Sequence, residues 1–577
     1  MTSEPSRRSA AIARHAPGLD RLLHYERGWL RVDILAGLTV GAMLVPQGMA
    51  YAELADMPPV TGFYAALLAL IAYAVVGSSR HLGVGPEPGT AILAATGVGA
   101  IAAGDPARYL ALMAALALTV GVICILAAVA RLGFIASVLS KPVLVGYITG
   151  VGLTLLSSQY AKFTGIPIES DGFFGRTADL LTGLGDIDAL TLTVGVATLL
   201  LILGLRWKVP AMPGALLGVV LATVTAVLLG LEADGLALVG DVPQGLPSFG
   251  LPDVGLGDVV ELLPIAAGIA LVGYSDNVLT GRAIGTRKGY RIDPNQELAA
   301  LGVTNLCAGF SQGFPISSSA SRTAVPASLG SKSQLVGIVA AVIVVATLLF
   351  LSPVLAEIPQ AALAAVIIAA AIAIIDVAGF RELWSVSRAE FALAATSALA
   401  VMVFDVLIGV LIAVGLSLLV ALGRIARPHD AILGDGQDLD GWVDAQTHPG
   451  ARTLPGLLVY RFDAPLFFAN ADRYRERLEE LVEENPGEEE WLVLDFEGVG
   501  EADTTAVDML VELLDEHRDA GRVVAVARAN EPVLRRLERA ELLHPEGPTI
   551  VYPTINAAVR AFERRPTDEQ RVPPGSD

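Results

Sequence analysis

The sequence predicts a polytopic α-helical membrane protein of about fourteen spanning segments, arranged as an inverted repeat of seven plus seven and followed by a small α/β domain. Three observations carry this. The 577 residues are 53% hydrophobic and only 17% charged, too apolar for a soluble chain of this length. The apolar runs come in lengths suited to a bilayer, about 20 residues each, as far as about residue 425. The charge is uneven: from Asp430 onward 32 Asp and Glu face 15 Arg, which places −17 of the total −20 in the tail and leaves the apolar part near neutral.

Taken in order, residues 1–31 are an Arg-containing, Pro-containing leader with no cleavable signal pattern. The membrane-spanning region then runs over 32–427, with segments at 34–53, 61–77, 86–101, 108–130, 137–159, 189–205 and 212–230, then 260–280, 296–311, 317–329, 333–352, 360–376, 388–404 and 405–424. With the N-terminus inside, twelve basic residues, Arg80 and Arg131 among them, fall in inner loops, against Arg108, Lys162 and Arg176 outside. An even number of crossings puts both termini in the cytoplasm of a multi-pass inner (plasma) membrane protein.

Two segments are short and share a design. The third opens at Gly85-Pro86 and the tenth at Gly313-Phe314-Pro315. Proline fits a first helical turn and cannot extend a helix backwards, so both read as broken helices. Broken helices in matching places of two halves point to an inverted repeat with a binding site between them.

Past Arg427-Pro428 the pattern changes. An Asp- and Gly-rich linker is expected over 428–455, then a domain over 456–565 with strands at Leu457–Phe462 and Trp491–Phe496 among helical stretches, and a disordered tail over 566–577. The acidic tail repels nucleic acid and anionic lipid alike, so no nucleic-acid partner is expected. Cys124 and Cys307 lie in apolar runs without metal-ligand spacing. No P-loop and no nucleophile with a base emerges, so neither an enzyme nor a cofactor is expected.

The stretches Asp33 to Val40, Pro46 to Ala52, Tyr73 to Arg80 with Gly85-Pro86, Asn295 to Gly302 and Ser319 to Val325 together resemble the signatures of the SulP family of inorganic anion transporters, and the tail resembles a STAS domain. The resemblance implies core and gate domains, a homodimer, and transport of sulfate, bicarbonate, chloride, oxalate or small dicarboxylates. It assigns Gln47, Tyr51 and Arg322 to the anion site. An uncoupled anion channel or an exchanger on the same fold is the alternative, and a nucleobase transporter a more distant one.

The chemistry of such a site follows from the residues. A dehydrated anion needs donors, and helix starts supply free N–H groups, here around Thr90 and at Ser317, Ser319 and Ser321. Arg322 in an apolar setting needs an anion or a carboxylate, the internal candidates being Glu87 and Asp276. Gln47 and Tyr51, four apart, share a helix face, as do Asp276 and Thr280. Glu87 reads either as an acid stabilising a helix start or as a protonatable group that competes with the anion. Asp276 with Thr280 reads as a seat for H+ or Na+, the run Asp276 to Thr280 resembling sodium-coupled bicarbonate members of the family, with Glu87 the rival. In the tail, Thr505 occupies the hydroxyl position that related regulators phosphorylate, while Asp503 reads more simply as a helix cap.

Overall fold

The computed structural model describes residues 15–137, 140–170, 172–209, 212–240, 242–436, 441–484, 490–540 and 550–564. The leader before residue 15 and the tail after 564 lie outside them. The chain divides into two compact units, one up to Ser417 and one from Leu418.

The first unit is helical. A short helix α1 (Pro17–Leu23) precedes seven long elements: α2 (Leu30–Leu54), α3 (Thr61–Val76), α4 (Pro88–Ala102), α5 (Pro106–Val129), α6 (Lys141–Ser158), then α9 (Ala189–Lys208) and α10 (Gly214–Leu229). Between α6 and α9 lie α7 (Tyr160–Thr164) and α8 (Gly172–Thr182), which hydropathy had not marked because neither is long enough to span. The second set is α11 (Leu256–Lys288), α12 (Pro294–Phe310), α13 (Ala320–Leu329), α14 (Leu335–Ala346) running on through a wide turn into α15 (Ser352–Ala356), α16 (Gln360–Ile374), an amphipathic α17 (Val377–Val386), and α18 (Arg388–Ala426).

At 39 residues α18 would be about 58 Å long if straight. It is not straight. A Cβ built on Gly409 would stand 2.5 Å from Cα of Val401, eight residues earlier, so the chain doubles back inside the run and makes the two segments that hydropathy expects.

Local chemistry sets where several helices begin. Asp105 before Pro106 and Asp293 before Pro294 each accept two backbone N–H bonds, and proline at the first helical position loses no donor that the helix needs. α5 and α12 then cross with their backbones close. A Cβ on Gly121 would lie 2.8 Å from the Gly302 carbonyl oxygen, and one on Gly302 2.9 Å from that of Gly121. Small residues supply such contact where lipid offers no hydrophobic drive. Leu200, Leu221 and Leu228 on α9 and α10 stay exposed, as lipid-facing residues do.

The second unit is an α/β domain with strands β3 (Asp430–Gly436), β4 (Trp442–Asp444), β5 (Ala451–Arg452), β6 (Leu457–Phe462), β7 (Trp491–Asp495), β8 (Val523–Ala527) and β9 (Ile550–Tyr552). β6 to β9 are parallel neighbours, and β3 pairs antiparallel with β6. Residues 428–455, read from sequence as a linker, therefore carry three strands of this sheet. Their Asp and Gly content hides them, because strands this short show no period.

Alternation along β6 serves both sheet faces. Leu458, Tyr460 and Phe462 pack with α19 (Ala471–Glu484), α20 (Thr504–Asp519) and α21 (Glu531–Arg539), while Leu457 and Val459 pack with α22 (Ile555–Glu563).

Candidate functional site

α4 and α13 are half-helices. Their 15 and 10 residues cover about 22 and 15 Å, short of the roughly 30 Å hydrocarbon core. Each is preceded by two extended residues, β1 (Val84–Gly85) and β2 (Ser317–Ser318), and these pair antiparallel, Val84 with Ser318 and Gly85 with Ser317. Backbone that leaves a helix at membrane depth must find partners inside the protein. The ladder supplies some and side chains supply the rest. Asn305 holds Ile316 from both sides, donating to its carbonyl at 3.0 Å and accepting from its N–H at 2.9 Å. Ser319 N–H donates to Gly83 O at 2.9 Å, and Gly83 N–H to Thr323 Oγ1 at 3.0 Å.

Glycine at 83 and 85 lets this backbone lie on Arg322. A Cβ at Gly83 would be 2.9 Å from the Arg322 Cβ, and Gly85 has φ +142°, which L side chains rarely adopt. Arg322 itself is 1% exposed. Its Nη1 donates to Gln47 Oε1 at 3.0 Å and its Nη2 to the Pro86 carbonyl at 2.7 Å, while Nε has no partner. The internal ion pair weighed from sequence is not formed: among the described residues neither Glu87 nor Asp276 comes within salt-bridge distance of Arg322.

Glu87 caps its own helix. Its Oε2 accepts from Thr90 N–H at 2.9 Å, and the Thr90 hydroxyl donates to the Glu87 carbonyl at 3.1 Å. Asp276 is tied to the second half by the Ser318 hydroxyl at 3.1 Å. One turn before Asp276, a Cβ on Gly273 would meet Ser317 at 3.3 Å and Thr90 at 3.7 Å, so α11 runs past the point where both half-helices start.

Gln47, Glu87, Thr90, Ser317 and Arg322 therefore converge, and Asp276 borders them. Ser319 caps α13, accepting from Arg322 N–H at 3.5 Å, and its hydroxyl lies 3.1 Å from that of the exposed Ser321. Tyr51 is buried on the face of Gln47, and its hydroxyl bonds to none of the described residues. Thr280 shares the Asp276 face without a hydrogen bond to it.

Asn305 goes unremarked in the sequence, although a lone Asn in the apolar run Leu301–Phe310 is a signal for it, and Ser318 lies inside the run Ser317 to Ser321 with nothing to single it out. Glu297, fully buried, does not stand out in the sequence from the stretch Asn295 to Gly302 that contains it. It accepts from Tyr73 Oη at 2.8 Å, Ser78 Oγ at 2.6 Å and Ser79 N–H at 3.0 Å, and so ties α12 to the turn that leads into β1.

In the tail, Thr505 is exposed in the first turn of α20. Asp503 caps that helix, accepting from Ala506 N–H at 2.8 Å and also from Phe468 N–H at 2.9 Å.

With this geometry in view, the sequence matches the pattern of the sulfate permease family over residues 30–397 and that of the STAS domain over residues 448–558. The chain belongs to the sulfate permease family. It is 43% identical over 550 residues, 95% of this chain and 98% of the other, to a protein of Mycobacterium tuberculosis H37Rv described as a probable sulfate transporter. To the chloroplastic sulfate transporter 4.1 of Arabidopsis thaliana it is 30% identical, with 92% and 80% of the two chains covered.

Among solved structures, the murine solute carrier 26 member A9 anion transporter, in its inward-facing state, matches with TM-score 0.88 at 24% identity over 98% of this chain and 96% of that one. The transmembrane domain of the cyanobacterial bicarbonate transporter BicA matches at TM-score 0.59 and 23% identity, over 68% and 99%. These two show the fold, while the multi-pass transport unit and the STAS domain follow from the family matches. Members of the sulfate permease family are anion transporters and not enzymes.

Proposed function

We propose that the chain is a secondary active transporter that carries an inorganic oxyanion, sulfate foremost, across the plasma membrane by alternating access, with H+ or Na+ as the coupling ion. One observation carries the reading. Arg322 is a buried cation that, among the described residues, has no carboxylate within salt-bridge distance, and it stands where two half-helices begin. A charge in that position needs an anion, and neutral donors from helix starts bind one without trapping it. Gln47, Tyr51, Thr90, Ser317, Ser319, Ser321 and Arg322 are its contacts in this reading. Sulfate comes first because the relatives that cover most of the chain bear that name.

Coupling follows from electrostatics. Each elementary charge moved inward against a negative interior costs about 2.3 kcal/mol per 100 mV, which a co-bound cation offsets. Asp276, with Thr280 on its face, is the proposed seat of that cation, and Glu87 is the second carboxylate at the site. The protein works as a homodimer with both termini in the cytoplasm, where Thr505 is open to phosphorylation.

Uptake of labelled sulfate, bicarbonate and oxalate into proteoliposomes, under a pH gradient or a sodium gradient alone, tests the reading. Asp276→Asn is expected to abolish accumulation while exchange continues. Full accumulation by this variant would remove Asp276 from the coupling role, and loss in Glu87→Gln alone would move that role to Glu87. Flux indifferent to both gradients would make the protein a channel or exchanger.

A further inference from the structure

We propose that Glu87 is an internal anion: its carboxylate holds the start of the first half-helix while the site is empty, and substrate takes that place only after Glu87 has picked up a proton. The inference rests on the reading above, that the half-helix starts hold the transported anion, and adds what decides whether the first of them is free.

The donors at that start are few. Pro88 has no N–H, and the N–H of Ala91 is already bonded to the Glu87 carbonyl at 3.0 Å. This leaves the N–H groups of Gly89 and Thr90. The carboxylate accepts from Thr90 at 2.9 Å and folds back over Gly89, where a Cβ would stand 3.0 Å from Oε2 and 3.4 Å from Oε1. The first cradle is therefore filled from within. The second is not: its cap is the neutral Ser319, whose bond to Arg322 N–H is long at 3.5 Å.

A second, independent observation points to a ligand. Arg322 sets its guanidinium on the carbonyl of Pro86, the residue before Glu87, yet no carboxylate pairs with it and its Nε has no partner. The charge that would neutralise it is spent on the helix start instead.

The groups facing Glu87 make the exchange proton-linked. Tyr51 on α2, Tyr147 on α6, Asp276 on α11, Ser317 on β2 and Arg322 on α13 lie within electrostatic reach of it. A doubly charged oxyanion arriving with both carboxylates ionised would bring all of that negative charge against one guanidinium, and like charges at such range disfavour one another. Protonating Glu87 removes one charge and turns the cap into a weaker, neutral acceptor, as the glutamine amide is, which an oxygen of the anion can displace from the helix start. One O–H bond forms on the carboxylate as one breaks in a hydronium ion of the solvent, and the loosened N–H groups pass to an oxygen of the anion. The sign of the effect is distinctive. Neutralising an ordinary binding residue weakens binding, whereas neutralising an internal competitor strengthens it.

Calorimetry on the full-length protein tests this, with potassium sulfate titrated from mildly acidic to mildly alkaline pH in two buffers of different ionisation enthalpy, so that proton uptake is read directly. Wild type is expected to bind more weakly as pH rises and to take up a proton on binding. Glu87→Gln keeps an oxygen for the cap. It is expected to bind with little pH dependence and, at the alkaline end, roughly tenfold or more tightly than wild type, the scale of one charge-assisted bond. Glu87→Asn, a good helix cap, repeats the test if the glutamine variant unfolds. Weaker binding in both variants at every pH, or pH dependence that survives in them, overturns the proposal. Wild type that binds no oxyanion at any pH would remove the anion site itself, a different result from pH-independent binding.

Discussion

The two half-helix starts are built alike and charged differently. Each follows a two-residue strand, each is capped by the side chain of the residue before it, and the strands pair with one another. The first cap is a carboxylate and the second a hydroxyl, while the arginine stands only in the second, three residues past its cap. The repeat thus supplies the geometry twice and the chemistry once. In the proposed anion site, two converging sets of neutral donors share one positive charge.

Removing the one charge should have the largest effect on affinity. Arg322→Gln is expected to weaken sulfate binding ten- to a hundredfold by calorimetry, a charge-assisted contact being worth on the order of 1.5 to 3 kcal/mol. Unchanged affinity would mean that the helix starts suffice alone. Making the second start resemble the first comes next. Ser319→Asp would put a carboxylate on the turn that bears Arg322, and about a tenfold loss of affinity is expected as that acid competes for the same donors. A gain would show the two starts to be unequal in more than their caps.

The scaffold under the second start can be weakened without touching its charge. Asn305→Leu leaves the N–H and carbonyl of Ile316 unsatisfied, at a cost of about 1 to 3 kcal/mol. A lower unfolding temperature is expected for the membrane unit, with the STAS unit unchanged.

The smallest effect lies in that STAS unit, which serves as a control. Burial, and then the neighbouring Arg522, hold the His517 imidazole below its usual value near 6.5. The unfolded chain therefore binds the proton more readily, so stability is full above about pH 6.5 and declines as pH falls through the lowered value. Acid unfolding of the isolated domain, followed by circular dichroism, should be shallower in His517→Leu.

Much of this was legible in the sequence because lipid enforces it. Spans of about 20 apolar residues, and Gly with Pro where spans break, mark fourteen segments and the two starts, and even the reversal within α18 falls between two hydropathy segments. Arg322 stood out as a charge where none should be. The pairing of β1 with β2 did not. Two residues have no period, and their partners lie more than two hundred positions away. The bond from Ser318 to Asp276 was not legible, because a serine among serines says nothing about which of them faces the carboxylate. Thr280 shares the face that periodicity assigns, but a shared face does not make a bond. The strands at 430–436 and 523–527 were missed for opposite reasons, the first masked by Asp and Gly and the second a plain apolar run of five that gives no sign of its partners.

A ribosome adding about 5 to 20 residues per second delivers Val84 and Gly85 on the order of ten seconds or more before Ser317 and Ser318. Throughout that interval the extended residues after α3 have no strand to pair with and no Arg322 to lie upon. Water or the insertion machinery must occupy their polar groups until the second half arrives. The pairing between the two half-helix starts is consequently completed only after more than half of the chain has been made. A chain stalled before residue 317 would present the cell with unpaired backbone at membrane depth, a ready mark for removal.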